Sequence, residues 1–265
     1  TTDIAIIGGG LAGAVTALCT QSHGFRTCII DANASDIQTN RNFDGRSYAL
    51  SHSSVKMLNK LELWNDLKQT AQPILDIKIS VGGVAEIPSP YLLHFDHHDL
   101  EEGPMGHMIE DRHLRPLLQE HLQDHDQTIY LNQVQVIGQD TGPASTELSL
   151  KGDQTTVKAK LVVAADGRRS AFAANAGIAY TGWDYAQTSL VCALRHEKSN
   201  AGIAYQHFMP SGPLAILPLT KNRASIVWTE TTENAKTIMS LDDKAYMDFL
   251  RPRFGDFLGD ITIAG

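Results

Sequence analysis

The first 31 residues constrain the fold more than any other part of the sequence. An apolar run of strand length, 3–7, ends at three consecutive glycines, 8–10, and Ala and Leu then recur at helical spacing over 11–22. A second apolar run, 26–30, is closed by Asp31. Two strands joined by a helix of this length lie parallel. The pattern therefore predicts a β-α-β unit that begins an α/β sheet.

The turn between the first strand and the helix fits the spacing G-x-G-x-x-G, with Leu11 and Ala12 between the last two glycines. Gly8 permits a tight turn, Gly10 lets a pyrophosphate approach the backbone, and Gly13 lets the helix pack closely on the strand. The start of the helix also offers unpaired N–H groups to anionic oxygens. These features predict a phosphate-binding turn.

Asp31 follows Gly13 by 18 residues, at the end of the second strand. A carboxylate there can accept hydrogen bonds from a ribose hydroxyl and would disfavour a 2′-phosphate. The strand, the turn, the helix and the acid in register predict a dinucleotide site, with a purely structural turn as the alternative. The motif alone does not separate FAD from NAD.

Composition limits the remaining possibilities. Of 265 residues, 42% are apolar and 20% charged, which is enough for a sizeable core, and the net charge of -8 argues against a nucleic-acid partner. Three scattered cysteines are too few for a disulfide framework, so we expect a cytoplasmic protein. No apolar run approaches the roughly 20 residues that span a bilayer. A short amphipathic patch at a membrane surface stays open.

Periodicity predicts further elements between the first unit and residue 180. We expect helices at 51–67 and at 112–123, the latter with Asp111 as N-cap. We expect strands at 74–81 and 105–109 and a meander of 128–137, 146–150 and 155–160. The apolar run 161–165 predicts a parallel strand of the central sheet that is buried on both faces. From about Thr181 the pattern predicts a mainly β region, with strands near 188–195, 202–209, 213–219 and 223–230 and a helix at 241–251.

Three further stretches carry a family resemblance. They are the sequences DGRSYALS at 44–51, MIEDR at 108–112 and AADGRRS at 164–170. Together they resemble the class A flavoprotein monooxygenases, which include p-hydroxybenzoate hydroxylase. With GPLAILP at 212–218, the chain is most similar to the ubiquinone-biosynthesis hydroxylases of the 2-polyprenyl-6-methoxyphenol type. The resemblance covers essentially the whole chain.

The resemblance implies a Rossmann-like FAD-binding domain with a mainly β substrate domain. The FAD-binding domain would comprise residues 1–72 and 105–178. The substrate domain would comprise an insertion at 73–104 and the region 179–265. The implied activity is hydroxylation of a polyprenylated phenol in ubiquinone biosynthesis, with FAD, molecular oxygen and NAD(P)H as electron donor. Such a substrate implies association with the inner membrane or with a multi-enzyme complex.

The same resemblance assigns cofactor contacts. Gly8, Gly10, Gly13 and Asp31 would hold the ADP half of FAD. The remaining contacts would be Arg46 near the flavin end, Arg112 at the phosphate and ribityl region, Val134 at the adenine through its backbone, and Asp166 with Gly167 at both FAD and the nicotinamide donor. Arginine is a durable phosphate partner, and an acid at the carboxyl end of a parallel strand lies where open sheets bind ligands.

Simpler alternatives stay open for these residues. Arg46 and Arg112 could be surface salt-bridge partners, and Asp166 with Gly167 could form an ordinary turn at the end of a strand. No side chain is nominated as a catalytic acid or base. At the level of the whole protein, the alternatives are another FAD-dependent oxidoreductase of the same fold and a non-catalytic scaffold that binds a partner.

Two departures from the family pattern matter. The family often has an arginine three residues after Ser170, where this chain has Ala173. The second FAD motif, G-D-A-A-H followed by proline, is absent from these 265 residues, so the C-terminal part of the fold is expected to be missing. We expect a fragment that is poorly loaded with FAD.

Histidines form two clusters that suggest metal ligands. His94, His97 and His98 lie among acids, and His121 and His125 are four residues apart on an expected helix. The second pair lacks the glutamate of H-E-x-x-H, and the first cluster lies in an expected polar loop. We therefore predict no native metal site.

Overall fold

The computed structural model describes residues 1–34, 39–84, 93–101, 103–123, 128–152 and 156–265. The chain forms two compact units, the first made of residues 1–42 and 112–182 and the second of residues 43–111 and 183–265. None of the described helices has the length and apolar character needed to cross a membrane.

Strands and helices follow one another in this order: β1 Thr2–Ile7, α1 Leu11–Gln21, β2 Thr27–Ile30, β3 Ser47–Ser51, α2 His52–Lys60, α3 Trp64–Leu67, β4 Gln72–Ile74, β5 Asp76–Val81, β6 Leu93–Asp96, β7 Gly106–Glu110, α4 Asp111–Gln123, β8 Thr128–Leu131, β9 Val136–Thr141, β10 Thr146–Leu150, β11 Thr156–Ala164, α5 Ala171–Asn175, β12 Gln187–His196, β13 Ile203–Met209, β14 Gly212–Leu219, β15 Arg223–Thr231, α6 Thr232–Met239, α7 Asp243–Phe254 and β16 Ile261–Ile263. A short 3-10 turn, His97–Asp99, follows β6.

The first unit contains a six-stranded sheet of order β8-β2-β1-β11-β10-β9. β8, β2, β1 and β11 are parallel, whereas β10 and β9 continue the sheet antiparallel. Ile4 of β1 pairs with Thr27 on one side and with Leu161 on the other. The predicted parallel β-α-β unit is therefore confirmed. β1 and β2 are buried along almost their whole length, as their apolar sequences require.

The predicted meander is wrong in two places. Residues 128–137 form two strands, and β8 joins the parallel sheet beside β2. Residues 156–164 form one strand, β11, because its first half pairs with β10 while its second half continues beside β1. The expected burial of 161–165 on both faces is also wrong, since Leu161 is 54% exposed. Among the described residues, β11 pairs only with β1 from Leu161 onward.

The second unit contains a seven-stranded sheet of order β16-β12-β15-β14-β13-β5-β6 and a three-stranded sheet of order β3-β7-β4. Among the described strands of the larger sheet, β13 and β5 form the single parallel pair. Helices α6 and α7 pack on one face of it, around a core that includes Leu194, Leu214, Ile226, Trp228 and Leu250. The expected mainly β character of the region after Thr181 agrees with this sheet.

Two local expectations change in the second unit. The predicted helix 51–67 is split into α2 and α3, because Glu62 adopts a positive φ of 62° between them. Ser51 ends β3 and caps α2 by accepting the N–H of Ser54. The predicted strand 74–81 is likewise split, since β4 pairs in the small sheet and β5 in the large one.

The compact units also differ from the predicted boundaries at 72, 104 and 178. Residues 43–72 and 105–111 belong to the second unit, together with the segment predicted as an insertion. The reason is that β3 and β4 each pair with β7 and not with the parallel sheet. The last boundary falls between Gly182 and Trp183, four residues later than expected.

Candidate cofactor site

The glycine-rich turn follows β1 in the first unit. Gly8 has a φ of +101°, and a Cβ atom on it would lie 2.4 Å from the carbonyl oxygen of Ala165. A Cβ atom on Gly13 would lie 1.9 Å from the carbonyl oxygen of Gly8. Both distances are shorter than any real contact, so the turn and the close packing of α1 require glycine at these positions. The predicted structural roles of these two glycines fit the geometry.

Gly10 differs from the other two glycines of the motif. It is the N-cap of α1, and nothing lies within 4 Å of the position that its Cβ would occupy. The first amides of α1, at Leu11 and Ala12, have no partner within the helix, and none of the side chains in its first turn is acidic. The turn therefore presents an open side and the positive end of a helix dipole, which suits a phosphate.

Asp31 lies directly against this turn and is only 3% exposed. One carboxylate oxygen, Oδ2, accepts the backbone N–H of Gly9 at 3.0 Å. The other, Oδ1, accepts the backbone N–H of Asn33 at 2.9 Å and its side-chain amide at 3.0 Å. The structure thus brings the predicted acid to the turn, where it is bonded to the chain itself.

Two residues at this turn were not found from the sequence. The hydroxyl of Tyr130 lies 2.1 Å from the position that a Cβ on Gly9 would occupy, and the side-chain amide of Gln119 donates to the carbonyl of Gly9 at 3.3 Å. Burial, together with the charge of Asp31, raises the pKa of Tyr130 to about 12. Gln119 comes from α4, 110 residues after Gly9, and Tyr130 comes from β8, further along the chain. Only the placement of β8 beside β2 could have indicated Tyr130.

Val134 and Arg112 also belong to the first unit. The backbone N–H of Val134 donates to the carbonyl of Asp31 at 3.0 Å, so only the carbonyl of Val134 is left for an adenine. Arg112 is half-buried in the first turn of α4. Their contacts with a cofactor stay predictions.

Asp166 follows β11 and carries an unusual buried atom. Its Oδ2 accepts the backbone N–H of Phe172 at 3.3 Å, whereas its Oδ1 is buried without a hydrogen-bond partner among the described residues. Gly167 beside it has a φ of +90°. Both line a cleft of about 620 Å³, together with Val162, Phe172, Ala173 and Tyr180. A buried carboxylate oxygen without a donor is costly, so this position suits a ligand hydroxyl or amide.

Arg46 belongs to the second unit and forms ion pairs there. Its guanidinium lies 2.7 Å from Asp44 and 3.1 Å from Asp111, and the hydroxyl of Tyr48 donates to Asp111 at 2.6 Å. The hydrogen bond from Arg46 holds the pKa of Asp44 below its usual range. The salt-bridge alternative considered for Arg46 therefore agrees with the geometry, and its place near the flavin stays a prediction.

The histidine-rich stretch brings metal-ligating atoms together in the second unit. Asp76, His94 and Asp96 each offer an atom within 4.8 Å of the others, and Asp96 also groups with His97 and His98. All of these side chains are at least partly exposed, and His94 is hydrogen-bonded to Asp76 at 3.0 Å. His125, the partner expected for His121, lies outside the described residues. The absence of a native metal stays a prediction.

The first unit fits the adenosine diphosphate part of a dinucleotide. It combines an open glycine at a helix N-terminus, an acid at the end of the second strand and a buried carboxylate oxygen that finds no donor in the described part of the chain. The family model described as FAD binding domain matches residues 1–263. The chain belongs to this family.

Two relatives of this chain are named as hydroxylases that act on ubiquinone or a related quinol. The chain is 36% identical to a ubiquinone hydroxylase of Rhodospirillum rubrum over 99% of its own length and 60% of that protein. It is 29% identical to the 3-demethoxyubiquinol 3-hydroxylase of Escherichia coli over 98% of its own length and 66% of that protein. The chain thus spans about three fifths of the length of these relatives.

Solved structures agree on the fold. A probable FAD-dependent monooxygenase from Pseudomonas aeruginosa superimposes with a TM-score of 0.79 over 95% of this chain and 66% of that one, at 16% identity. The p-nitrophenol 4-monooxygenase of Pseudomonas putida gives a TM-score of 0.75 over 99% and 66%, also at 16% identity. The expected Rossmann-like α/β fold with a mainly β partner region is confirmed.

Proposed function

We propose that the protein is an FAD- and NAD(P)H-dependent hydroxylase that acts on a polyprenylated phenol in ubiquinone biosynthesis. The observation that carries this proposal is the 36% identity to a ubiquinone hydroxylase over 99% of the chain. A family match over residues 1–263 supports FAD as the cofactor. Molecular oxygen and a phenolic substrate follow from the hydroxylase names of the relatives.

FAD, when bound and reduced by NAD(P)H, would supply the electrons that activate molecular oxygen, of which one atom enters the product and the other leaves as water. The chain's own residues would bind and orient it. The open side of Gly10 and the first amides of α1 would hold the pyrophosphate, and the backbone near Val134 would face the adenine. The unpaired Oδ1 of Asp166 would accept a hydrogen bond from a cofactor hydroxyl. Arg112 would neutralise phosphate charge.

The larger sheet of the second unit offers a surface for an apolar substrate. One face is covered by α6 and α7. On the other face, Val191 pairs with Val227 and Val227 with Ala215, and Val191 is 58% exposed. An exposed apolar sheet face commonly marks a binding surface. We propose that the strands around Gly212–Pro218 form the wall against which the phenol ring and its prenyl chain pack.

The test is a turnover assay with added FAD. NADH or NADPH oxidation should be stimulated by a prenylated phenol, and the product should carry one oxygen atom from labelled dioxygen. Gly10→Ala should abolish the stimulation, whereas Gly182→Ala, where the added Cβ also meets open space, should not. If the rate of NADH or NADPH oxidation does not depend on the phenol and no oxygen enters a product, the result would favour another FAD-dependent oxidoreductase.

Association with a membrane surface or a multi-enzyme complex is also proposed, with the cytoplasm as the compartment. Its support is chemical, since a prenylated substrate partitions into lipid. Co-sedimentation with vesicles that contain a prenylated quinone, compared with vesicles that lack it, tests this association. Equal recovery in the supernatant with both would count against it.

A further inference from the structure

The carboxylate of Asp31 has little capacity left for a ribose. A carboxylate offers about four acceptor positions. Three are occupied by the N–H of Gly9, the N–H of Asn33 and the side-chain amide of Asn33. The hydroxyl of Tyr130 is buried against the same carboxylate, whose charge contributes to the raised pKa of that tyrosine. With Asp31 only 3% exposed, a ribose hydroxyl would have to displace one of these groups.

The same contacts hold Gly9 on three sides. Its N–H donates to Asp31, its carbonyl accepts the amide of Gln119, and the hydroxyl of Tyr130 fills the space on its Cα. Gly10 follows immediately as the N-cap of α1, and its carbonyl accepts the N–H of Ala14 at 2.8 Å. The conformation of Gly9 therefore sets the direction in which the open side of Gly10 and the first amides of α1 point.

We propose that Asp31 is a positioning residue for the glycine-rich turn, which fixes the peptide of Gly9 and thereby orients the phosphate-binding amides whether or not a ribose is present. This inference rests on the proposed cofactor site at the turn. It departs from the expectation based on the sequence, in which the carboxylate binds the ribose hydroxyls directly. Hydrogen bonds to an ionised acceptor are the strong ones, so the buried bond to Gly9 suits this task.

Two nucleotides distinguish positioning of the turn by Asp31 from direct binding of the ribose. ADP and 2′,3′-dideoxy-ADP share the phosphates and the adenine and differ only in the ribose hydroxyls. Their affinities for the wild-type chain and for Asp31→Asn are to be measured by isothermal titration calorimetry. If Asp31 acts through the turn, the substitution weakens both nucleotides by the same factor, about tenfold. A loss confined to ADP, with dideoxy-ADP unaffected, would overturn the proposal.

Asp3→Asn is the matched control. Asp3 lies at the other end of the parallel sheet and also accepts a backbone N–H, that of Arg26 at 3.1 Å. Losing its charge should leave the affinity for both nucleotides unchanged. An equal loss in Asp3→Asn and Asp31→Asn would show a general effect of charge or stability and would contradict positioning.

A second measurement decides the proposal without any ligand. Amide hydrogen exchange at Gly9 should be about tenfold faster in Asp31→Asn than in the wild type, because the buried acceptor is weakened. The amide of Gly24, which donates to Gln21 at 2.8 Å in a distant turn, should exchange at the same rate in both. Equal rates at Gly9 would overturn the positioning role. Failure of the wild type to bind either nucleotide would instead count against the proposed cofactor function, and the exchange result would still stand.

Discussion

The two units stabilise their buried carboxylates in different ways. In the first unit, Asp31 accepts hydrogen bonds from the backbone amides of Gly9 and Asn33 and from the side-chain amide of Asn33. Among the described residues of the second unit, three buried acids are paired with arginines. The pairs are Glu110 with Arg223, Asp111 with Arg46, and Glu230 with Arg253, and Glu110 and Glu230 are no more than 2% exposed.

This difference predicts that substitutions at the buried acids of the second unit change stability, whereas substitutions around Asp31 change ligand binding. A buried ion pair contributes little net stability, but removing one partner leaves a buried charge and is strongly destabilising. Substitutions at the arginine-paired acids should therefore act on the unfolding of the second unit. An acid held by backbone amides instead shapes the turn that contains them. Substitutions around Asp31 should therefore act first on ligand binding.

The largest effect is expected at Arg223. Its guanidinium pairs with the buried Glu110 and lies 4.7 Å from the ring centroid of Phe43. Arg223→Met should lower the free energy of unfolding by about 3–5 kcal/mol, because the buried carboxylate of Glu110 loses the guanidinium that is paired with it. Urea denaturation followed by tryptophan fluorescence measures this loss. Arg26→Met is the control, since that side chain is 59% exposed and a surface ion pair contributes little to stability. Similar small losses in both variants would remove the contrast between the units.

Within the first unit, substitutions at two glycines of the glycine-rich turn should differ in their effects on stability and on binding. Gly13→Ala should lower the free energy of unfolding by about 1–3 kcal/mol, because the new Cβ meets the backbone of Gly8. Gly10→Ala should leave stability within about 0.5 kcal/mol of wild type, since the new Cβ meets open space. It should still weaken ADP binding at least about tenfold by obstructing the phosphate. Thermal unfolding and calorimetric titration of both variants test the pair. Unchanged ADP binding in Gly10→Ala would place the phosphate elsewhere.

A smaller effect is expected at Tyr48. Its hydroxyl donates to Asp111 at 2.6 Å, and Asp111 keeps its ion pair with Arg46 after the hydroxyl is removed. Tyr48→Phe should therefore lower the free energy of unfolding by about 1 kcal/mol. Tyr185→Phe, at a side chain that is largely exposed, serves as the control and should be neutral. A loss as large as that of Arg223→Met would mean that the hydroxyl, rather than the arginine, stabilises Asp111.

The smallest effect is a pH dependence at His107 in β7. Burial first, and the charge of His52 second, lower the pKa of His107 below its ordinary value. In the unfolded chain His107 takes up a proton near pH 6.5. In the folded chain it takes up the proton only at a lower pH, because its pKa is lowered. The contribution of neutral His107 to the free energy of unfolding is fully present above about pH 6.5 and is lost as the pH falls through the lowered pKa of the folded chain. Urea midpoints across this range should fall more steeply for wild type than for His107→Gln. Parallel curves would contradict the assignment.

The strongest sequence signals were short-range. The β-α-β unit and the mechanical roles of Gly8 and Gly13 follow from apolar runs and glycine spacing within the first 31 residues, and the structure agrees with them. The proximity of Asp31 to the turn follows for the same reason, because neighbouring parallel strands end at one edge of a sheet. The strand before Asp166 was also located from its apolar run, although its exposure was not.

The sequence pattern did not predict which distant strands pair with one another. The sequence pattern joined 128–131 to a meander, whereas the structure pairs it with β2 and thereby brings Tyr130 to Gly9. Likewise, residues 43–72 follow the first unit in the chain but pair within the second. Local periodicity gives the type of an element and says nothing of its partner, which depends on hydrogen bonds between distant segments.

The sequence by itself determined the parallel strand pair, the glycine positions and the acid that follows them, because each depends on contacts over at most a few tens of residues. Only the tertiary structure decided how Asp31 is used. Its carboxylate accepts three hydrogen bonds from Gly9 and Asn33, and Tyr130 and Gln119 close around the same turn. The physical reason is that acceptor capacity and burial depend on which distant atoms surround a carboxylate, and residue order does not record them.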